Sequence, residues 1–303
     1  MECDDLVQDC IASEQECDAR YDECHRLYDR GMVYAAHQLM LKNIDCAVDL
    51  GSRQSKLYAD IKKDHTLVFE KCQQVHTAKK WTKCSASEKG KGFDDAIKVH
   101  TSSAHTNSFL IDAQLDAGLG QCFVLASRLE FADAWIDSAS CCAFVRKLSG
   151  HSHVVRVTVK NPFLSVLGGT TLYLRIDSFD NHLFDQQYVV IVSPLSAADA
   201  AEHGIGGDKY QSSVRFFSFS SLTFVFDGAT DTSFITNVKV YVNNMQMVRY
   251  TPAFLNSFVC VDFFARMCRH WANVARQLGD MLYEGERLAK LVSFLETSLH
   301  WAK

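Results

Sequence analysis

The chain has 303 residues, 48% of them hydrophobic and 22% charged, with a formal net charge of −5 at pH 7. That balance excludes a protein whose main work is coating nucleic acid, and the length allows about two domains of ~150 residues with a sizeable core. Charge interrupts every apolar run before the roughly 18 residues of a membrane span, and the acidic opening Met1–Asp5 is the reverse of a secretory or transit leader.

Proline and cysteine divide the chain at the same places. The three prolines are Pro162, Pro194 and Pro252, so 1–161 and 253–303 have none, while no cysteine lies in 143–259. Proline is excluded from helix interiors because it lacks the N–H and clashes with the preceding turn. The pattern predicts helix, then a middle of another kind, then helix.

Residues 1–147 read as helical. Cys3, Cys10, Cys17 and Cys24 recur every seventh residue and mark one helix face. Tyr34–Leu50 and Leu57–Phe69 continue the period, and Phe109–Leu148 is assigned two further helices. Cys84–Gly92 and Thr101–Asn107 are loops on composition. Successive cysteines of the heptad stand about 10.5 Å apart along a helix. They can therefore neither share one zinc ion nor form a disulfide within it, and they read as a buried seam of small apolar side chains.

At Gly150 the period changes from 3.6 to 2. His153–Lys160, Thr170–Asp177, Gln187–Ser193, Ser213–Ser220, Leu222–Asp227, Phe234–Val242 and Gln246–Tyr250 alternate and are rich in β-branched residues. Seven strands with no helical pattern between them predict an antiparallel β-sandwich of jelly-roll type. Leu195–Tyr210 is too long for a hairpin turn and reads as a tip or interaction loop. Thr251-Pro252 then starts a helix, with Thr as N-cap and Pro at the first helical position, and apolar spacing carries it from Ala253 to Trp301. The expected fold class is α+β: a discontinuous all-helical base, 1–148 and 252–303, with the jelly-roll sandwich of 149–251 inserted.

Few residues carry recognisable chemistry. His151-Ser-His153 has the His-x-His spacing of a cupin metal site, but Val157 and Thr158 stand where that family has Glu, and no Pro-x-Gly follows. Cys72 with His76 and Cys84, and Cys268 with His270, are partial ligand sets. Nucleophile elbow, Walker loop and His-Glu-x-x-His are all missing, so no catalytic residues are expected and the chain does not read as an enzyme. Charge is uneven: 1–30 holds ten acids against three arginines, and 53–98 holds eleven Lys/Arg against six acids. The 102 residues of 150–251 hold only 15 charges, while Phe216, Phe217, Phe219, Phe224 and Phe226 cluster on adjacent strands. Depleted charge with surplus aromatics is the signature of an interface, here one between copies of the chain.

The order of helices, inserted jelly roll and returning helices resembles the trimeric T=13 capsid-layer proteins of the reovirus order, of the orbivirus core-surface and rotavirus intermediate-layer types. The resemblance is architectural and covers the whole chain. It implies a structural capsid protein whose homotrimers, in a trimer–trimer lattice, tile a shell over an inner-shell capsid protein. It further implies an outer attachment or spike protein as partner, no membrane span, no direct nucleic-acid contact, and a virion location after assembly in host cytoplasm. A zinc ion on the threefold axis, held by His151 or His153, is implied in the same way. The alternative reading is a non-viral oligomeric binding or adaptor protein whose β-sandwich recognises a ligand.

Overall fold

The computed structural model describes residues 18–44, 52–76, 81–83, 96–102, 107–160, 169–181, 187–202, 204–205, 218–227, 235–246 and 253–278. Three helices open it: α1 (18–29), α2 (Val33–Ile44) and α3 (Ser52–His76). Strands β1 (Trp81–Lys83), β2 (Ile97–Ser102) and β3 (Phe109–Leu115) follow, then α4 (Leu119–Ser127) and a 3-10 turn, Leu129–Ala134. Next come β4 (Ala139–Lys147), β5 (Ser152–Lys160), β6 (Gly169–Asn181), β7 (Gln187–Pro194), the short α5 (Ala197–Glu202), β8 (Ser221–Asp227), β9 (Thr236–Asn243) and α6 (Ala253–Gln277).

The strands form one nine-stranded sheet in the order β1-β2-β3-β9-β8-β7-β6-β5-β4, and every neighbouring pair is antiparallel. This corrects the expected fold class. There is no two-sheet jelly roll set into a helical base: β2 and β3, from the stretch read as helix, pair directly onto β9. The physical reason lies in the faces. Along β7, Val190 and Val192 enter one buried cluster while Val189 and Ile191 enter another, and Phe224 and Phe226 oppose Val225 along β8 in the same way. A strand buried on both sides needs two covers, but its sequence does not say whether the second is another sheet or a helix. Here helices cover both faces.

On the first face, α6 lies against the sheet with α4 and the 3-10 turn. Its buried residues Cys260, Val261, Phe264, Cys268, Trp271, Ala275 and Leu278 keep the three- and four-residue spacing of one helical stripe. Strands as far apart in the sheet as β2 and β5 share this cluster with α6, so the sheet bends around the helix. The first turn of α6 is anchored by Asn256, whose Nδ2 donates to Asn107 Oδ1 at 3.0 Å and to the Met245 carbonyl at 2.9 Å.

On the second face, α3 divides its buried stripe between two clusters. Val68, Cys72 and Val75 pack on the sheet, and Leu57, Tyr58 and Ile61 pack on α1 and α2. Cys24, the one heptad cysteine within the described residues, is fully buried in the second cluster, with its Sγ 3.8 Å from the Ala36 carbonyl. It fills an apolar seam as its period suggests. The remaining heptad cysteines, Phe216, Phe217, the Thr251-Pro252 cap and the tail beyond 278 lie outside the described residues. Of the strands expected at Ser213–Ser220 and Gln246–Tyr250, the described part is one antiparallel bridge between Ser218 and Gln246.

Between the two clusters of α3 sits a buried polar group. Asp64 accepts from the Tyr28 hydroxyl at 2.7 Å and from His151 Nε2 at 3.3 Å, joining α3, α1 and the β4–β5 turn. Close backbone contact makes this possible: Gly31 (φ +79°) passes over Ser178, and a Cβ on Gly150 would overlap the Asp29 carbonyl. Burial acts to raise the Asp64 carboxyl, but the hydrogen bonds from His151 and Tyr28, aided by the Arg175 charge, outweigh it and hold the pKa below the ordinary value. A carboxyl depressed in the folded state stabilises fully above its unfolded pKa of about 4, and that contribution is lost as pH falls through the folded value. Asp64→Ala orphans two buried donors and is expected to cost about 3 kcal/mol at pH 7. In urea melts run from pH 7 to pH 3, the difference between wild type and variant should shrink on acidification; a constant difference would show that the carboxylate charge is not what matters.

Candidate functional site

The gripped face of the sheet supplies an enclosed space in which this fold could hold a molecule. It lies between the middle of the sheet, the 3-10 turn and α6. Val157, Leu174, Phe224 and Val240 contribute from the strands, and Phe264 and Met267 from the helix. Alternation puts these strand side chains on one face, and the helical stripe of α6 faces them. The cavity offers only ≈ 60 Å³ to the centres of water-sized molecules.

Aromatic side chains consume the rest of the space. Trp135, just after the 3-10 turn, stacks on Trp271 of α6 with ring centres 5.2 Å apart. Phe224 and Phe226 meet Trp271 edge-on at 5.6 and 5.7 Å. Such edge-to-face and offset arrangements add about 0.5–1.5 kcal/mol per pair beyond the area they bury. The phenylalanine surplus of the sequence is therefore spent inside the protomer: Phe219, Phe224 and Phe226 are 7%, 1% and 0% exposed and belong to its own core.

No titratable side chain lines the cavity among the described residues. The surface it presents is wholly apolar; two lining residues carry side-chain polar atoms, Ser138 Oγ and Trp135 Nε1, both buried and without a hydrogen-bond partner among the described residues. Each carries a desolvation cost of about 1–3 kcal/mol that one suitable guest atom would relieve. The nearby thiols are inert, since burial pushes Cys122 and Cys268 up to about 12. General acid–base, nucleophilic and metal chemistry all lack the necessary groups here, so the arrangement can enclose and orient an apolar molecule.

The two histidines singled out from the sequence lie on opposite sides of the sheet. His151 sits in the β4–β5 turn among Asp64, Tyr28 and Phe179, with its side chain 2% exposed. His153, in β5, faces the other way toward Glu130 and Phe144, with its side chain 14% exposed. The His151 imidazole is engaged by Asp64, His153 Nε2 stands 3.9 Å from Glu130, and the two rings do not converge. His270 reaches Asp137 on the surface at 2.9 Å while Cys268 points into the core, so that partial set separates as well. Among the described residues, no group of three or more His, Cys, Asp or Glu side chains is placed to hold a metal ion. Ser138 and Trp135 had escaped notice because nothing local marks them; the rarity of tryptophan was the only available signal.

At the level of sequence the chain matches no protein-family model and no curated protein. Its fold has neighbours among solved structures. Human StAR-related lipid transfer protein 5 superposes with a TM-score of 0.53 at 9% identity, over 72% of this chain and 97% of the neighbour. Human STARD10 superposes with a TM-score of 0.51 at 6% identity, over 67% of this chain and 77% of the neighbour. At these identities the likeness is one of fold: a single antiparallel sheet gripping a helix. It overturns the resemblance to reovirus-order capsid layers, because the supposed inserted sandwich is part of one continuous sheet with strands from the supposed base. The capsid role, the trimer-tiled shell and the virion location fall with it. The second reading of the sequence, a non-viral ligand-binding protein, agrees better with this fold, its recognition element being a gripped sheet instead of a sandwich. No helix among the described residues is long and apolar enough to cross a membrane.

Proposed function

We propose that the chain is a non-catalytic binding protein that encloses an apolar ligand between its sheet and α6, as a lipid-transfer protein would. One observation carries this reading: the interior of the grip is walled entirely by hydrocarbon and aromatic surface, and two residues of that wall, Ser138 and Trp135, keep buried polar atoms without partners among the described residues. Burying the ligand's apolar area would drive binding at roughly 25 cal/mol per Å², before association costs. A single hydroxyl or carbonyl on the ligand would satisfy the two polar atoms and fix its orientation. A charged headgroup would have no counter-charge inside and belongs outside the grip.

Size adds a mechanical requirement. Pockets that enclose drug-sized ligands run roughly 300–1,000 Å³, so a ligand of that size enters only as side chains and α6 yield. Met245 and Met267 in the lining are flexible enough to repack. The C-terminal half of α6 is tied to its surroundings by exposed pairs, His270 with Asp137 and Arg276 with Asp116, which contribute little. Its first turn is fixed by the buried Asn256. Directional hydrogen bonds therefore fix the first turn, while the C-terminal half is held by the apolar packing of Trp271, Ala275 and Leu278.

Titrating the purified chain with fluorescent probes, a hydroxylated polycyclic and a fatty acyl chain, tests the proposal. Saturable one-to-one binding is expected, together with a rise in Tm that grows with ligand concentration. Leu174→Trp, which fills the cavity, should weaken binding at least tenfold in a variant that still melts cooperatively; unchanged affinity would place the ligand elsewhere and refute the reading. Trp271→Ala removes the central aromatic, is expected to lose about 3–5 kcal/mol, and should bind bulkier probes than wild type. Asn256→Ala frees the anchored end of α6, so stopped-flow uptake should accelerate; an unaltered rate would exclude α6 as the moving part.

A further inference from the structure

The 3-10 turn Leu129–Ala134 separates two cavities of opposite chemistry. Leu129 and Ala132 line the apolar space beneath α6, while Arg128, Glu130 and Phe131 line a cleft on the other side, closed by the β4–β5 hairpin. This cleft is open and roomy, ≈ 730 Å³ against ≈ 60 Å³ for the internal cavity. α6 contributes nothing to its lining among the described residues.

Its polar groups are arranged unlike a solvated surface. The Glu130 side chain is 7% exposed and lies 2.7 Å from Arg128 Nε, so the carboxylate is already neutralised by a guanidinium that keeps 30% exposure. His153 Nε2 stands 3.9 Å from Glu130 Oε2, beyond hydrogen-bond reach, and is buried without a partner among the described residues. Burial, then the Arg128 charge, pushes His153 down to about 4, so its ring is neutral at pH 7. Lys147 adds a second cation from the exposed end of β4. Phe144, 50% exposed, lies nearly parallel to the His153 ring at 5.9 Å and leaves a flat apolar surface at the mouth.

A purely structural Arg–Glu pair would account for two of these residues. It leaves unexplained the buried His153 Nε2, which has no partner among the described residues, and the aromatic ring held open to solvent beside it. Guanidinium, ammonium and imidazole line one cleft whose sole carboxylate is already paired with Arg128. We propose that the cleft is a second binding site, independent of the grip, for a small soluble organic oxyanion, a phosphate or carboxylate on a flat apolar body. Lys147 supplies the uncompensated charge, and Arg128, its charge balanced by Glu130, offers the remaining N–H groups of its planar fork. His153 supplies a hydrogen bond, and Phe144 packs on the ligand's body.

Phenyl phosphate, inorganic phosphate and vesicles containing phosphatidic acid are the probes, titrated into the full chain by calorimetry and light scattering. One-to-one binding of phenyl phosphate is expected, at least tenfold tighter than inorganic phosphate. Lys147→Ala, on the exposed rim, should weaken it at least fivefold, and the paired replacement Arg128→Met with Glu130→Leu, which leaves no buried charge behind, should abolish it. Leu174→Trp should leave it unchanged, which separates this site from the apolar cavity. Equal binding by wild type and Lys147→Ala, no preference for the organic phosphate, or binding to vesicles alone would each overturn the proposal.

Discussion

The structure depends on a sheet that is apolar on both faces. Val189 to Val192 and Phe224 to Phe226 send successive side chains into two separate cores, so neither face of the central strands tolerates water. Burying a Val, Ile or Phe is worth roughly 1.5–3 kcal/mol, and exposing a whole face of them would exceed the margin by which domains of this size are stable. Every other feature follows from how the chain supplies two covers. The helices that precede the sheet pack on one side, and the helix that follows it packs on the other.

The two covers differ in chemistry. The α1–α3 side is locked by direction-specific contacts: the Tyr28–Asp64–His151 hydrogen bonds, the close passage of Gly31 over Ser178, and Gly150 against Asp29. Such contacts admit one arrangement and resist sliding, because breaking any of them strands a buried polar group. The α6 side is held by aromatic and aliphatic packing, with Asn256 as its one buried polar anchor of known partners. Apolar packing is non-directional and can re-form around a guest. The division suits a binding protein: the rigid side keeps the sheet in register while the other side yields.

The candidate sites show how unevenly chemistry is written in a sequence. His151 and His153 drew attention by their spacing, and both are indeed set in buried polar surroundings, but with the protomer's own Asp64 and Glu130 and on opposite sides of the sheet. The five-phenylalanine cluster read as a surface between copies, whereas its described members Phe219, Phe224 and Phe226 wall the interior. Composition reports that aromatic surface must be covered and is silent on what covers it. Ser138 and Trp135, the lining residues with side-chain polar atoms among the described residues, have no motif at all; the segment after the 3-10 turn sets them in the wall of a space shared with residues more than a hundred positions away in sequence.

What the sequence alone determined is local. The long helices α2, α3 and α6 follow from three- and four-residue apolar spacing, and β5 to β9 from alternation between turn residues, since those periods depend only on the backbone geometry of each element. Local signals failed where tertiary contacts override them. Along β3, Phe109-Leu-Ile111 is buried on both faces and so loses its alternation, and the bulges of β4 at Ser140–Ala143 and Phe144–Arg146 break the period of two. Only the tertiary structure decided that β3 pairs with β9, that helices and not a second sheet cover the strands, and that a cavity opens beneath α6. Those outcomes are set by competition among distant surfaces for burial, a free energy that no segment of the chain possesses by itself.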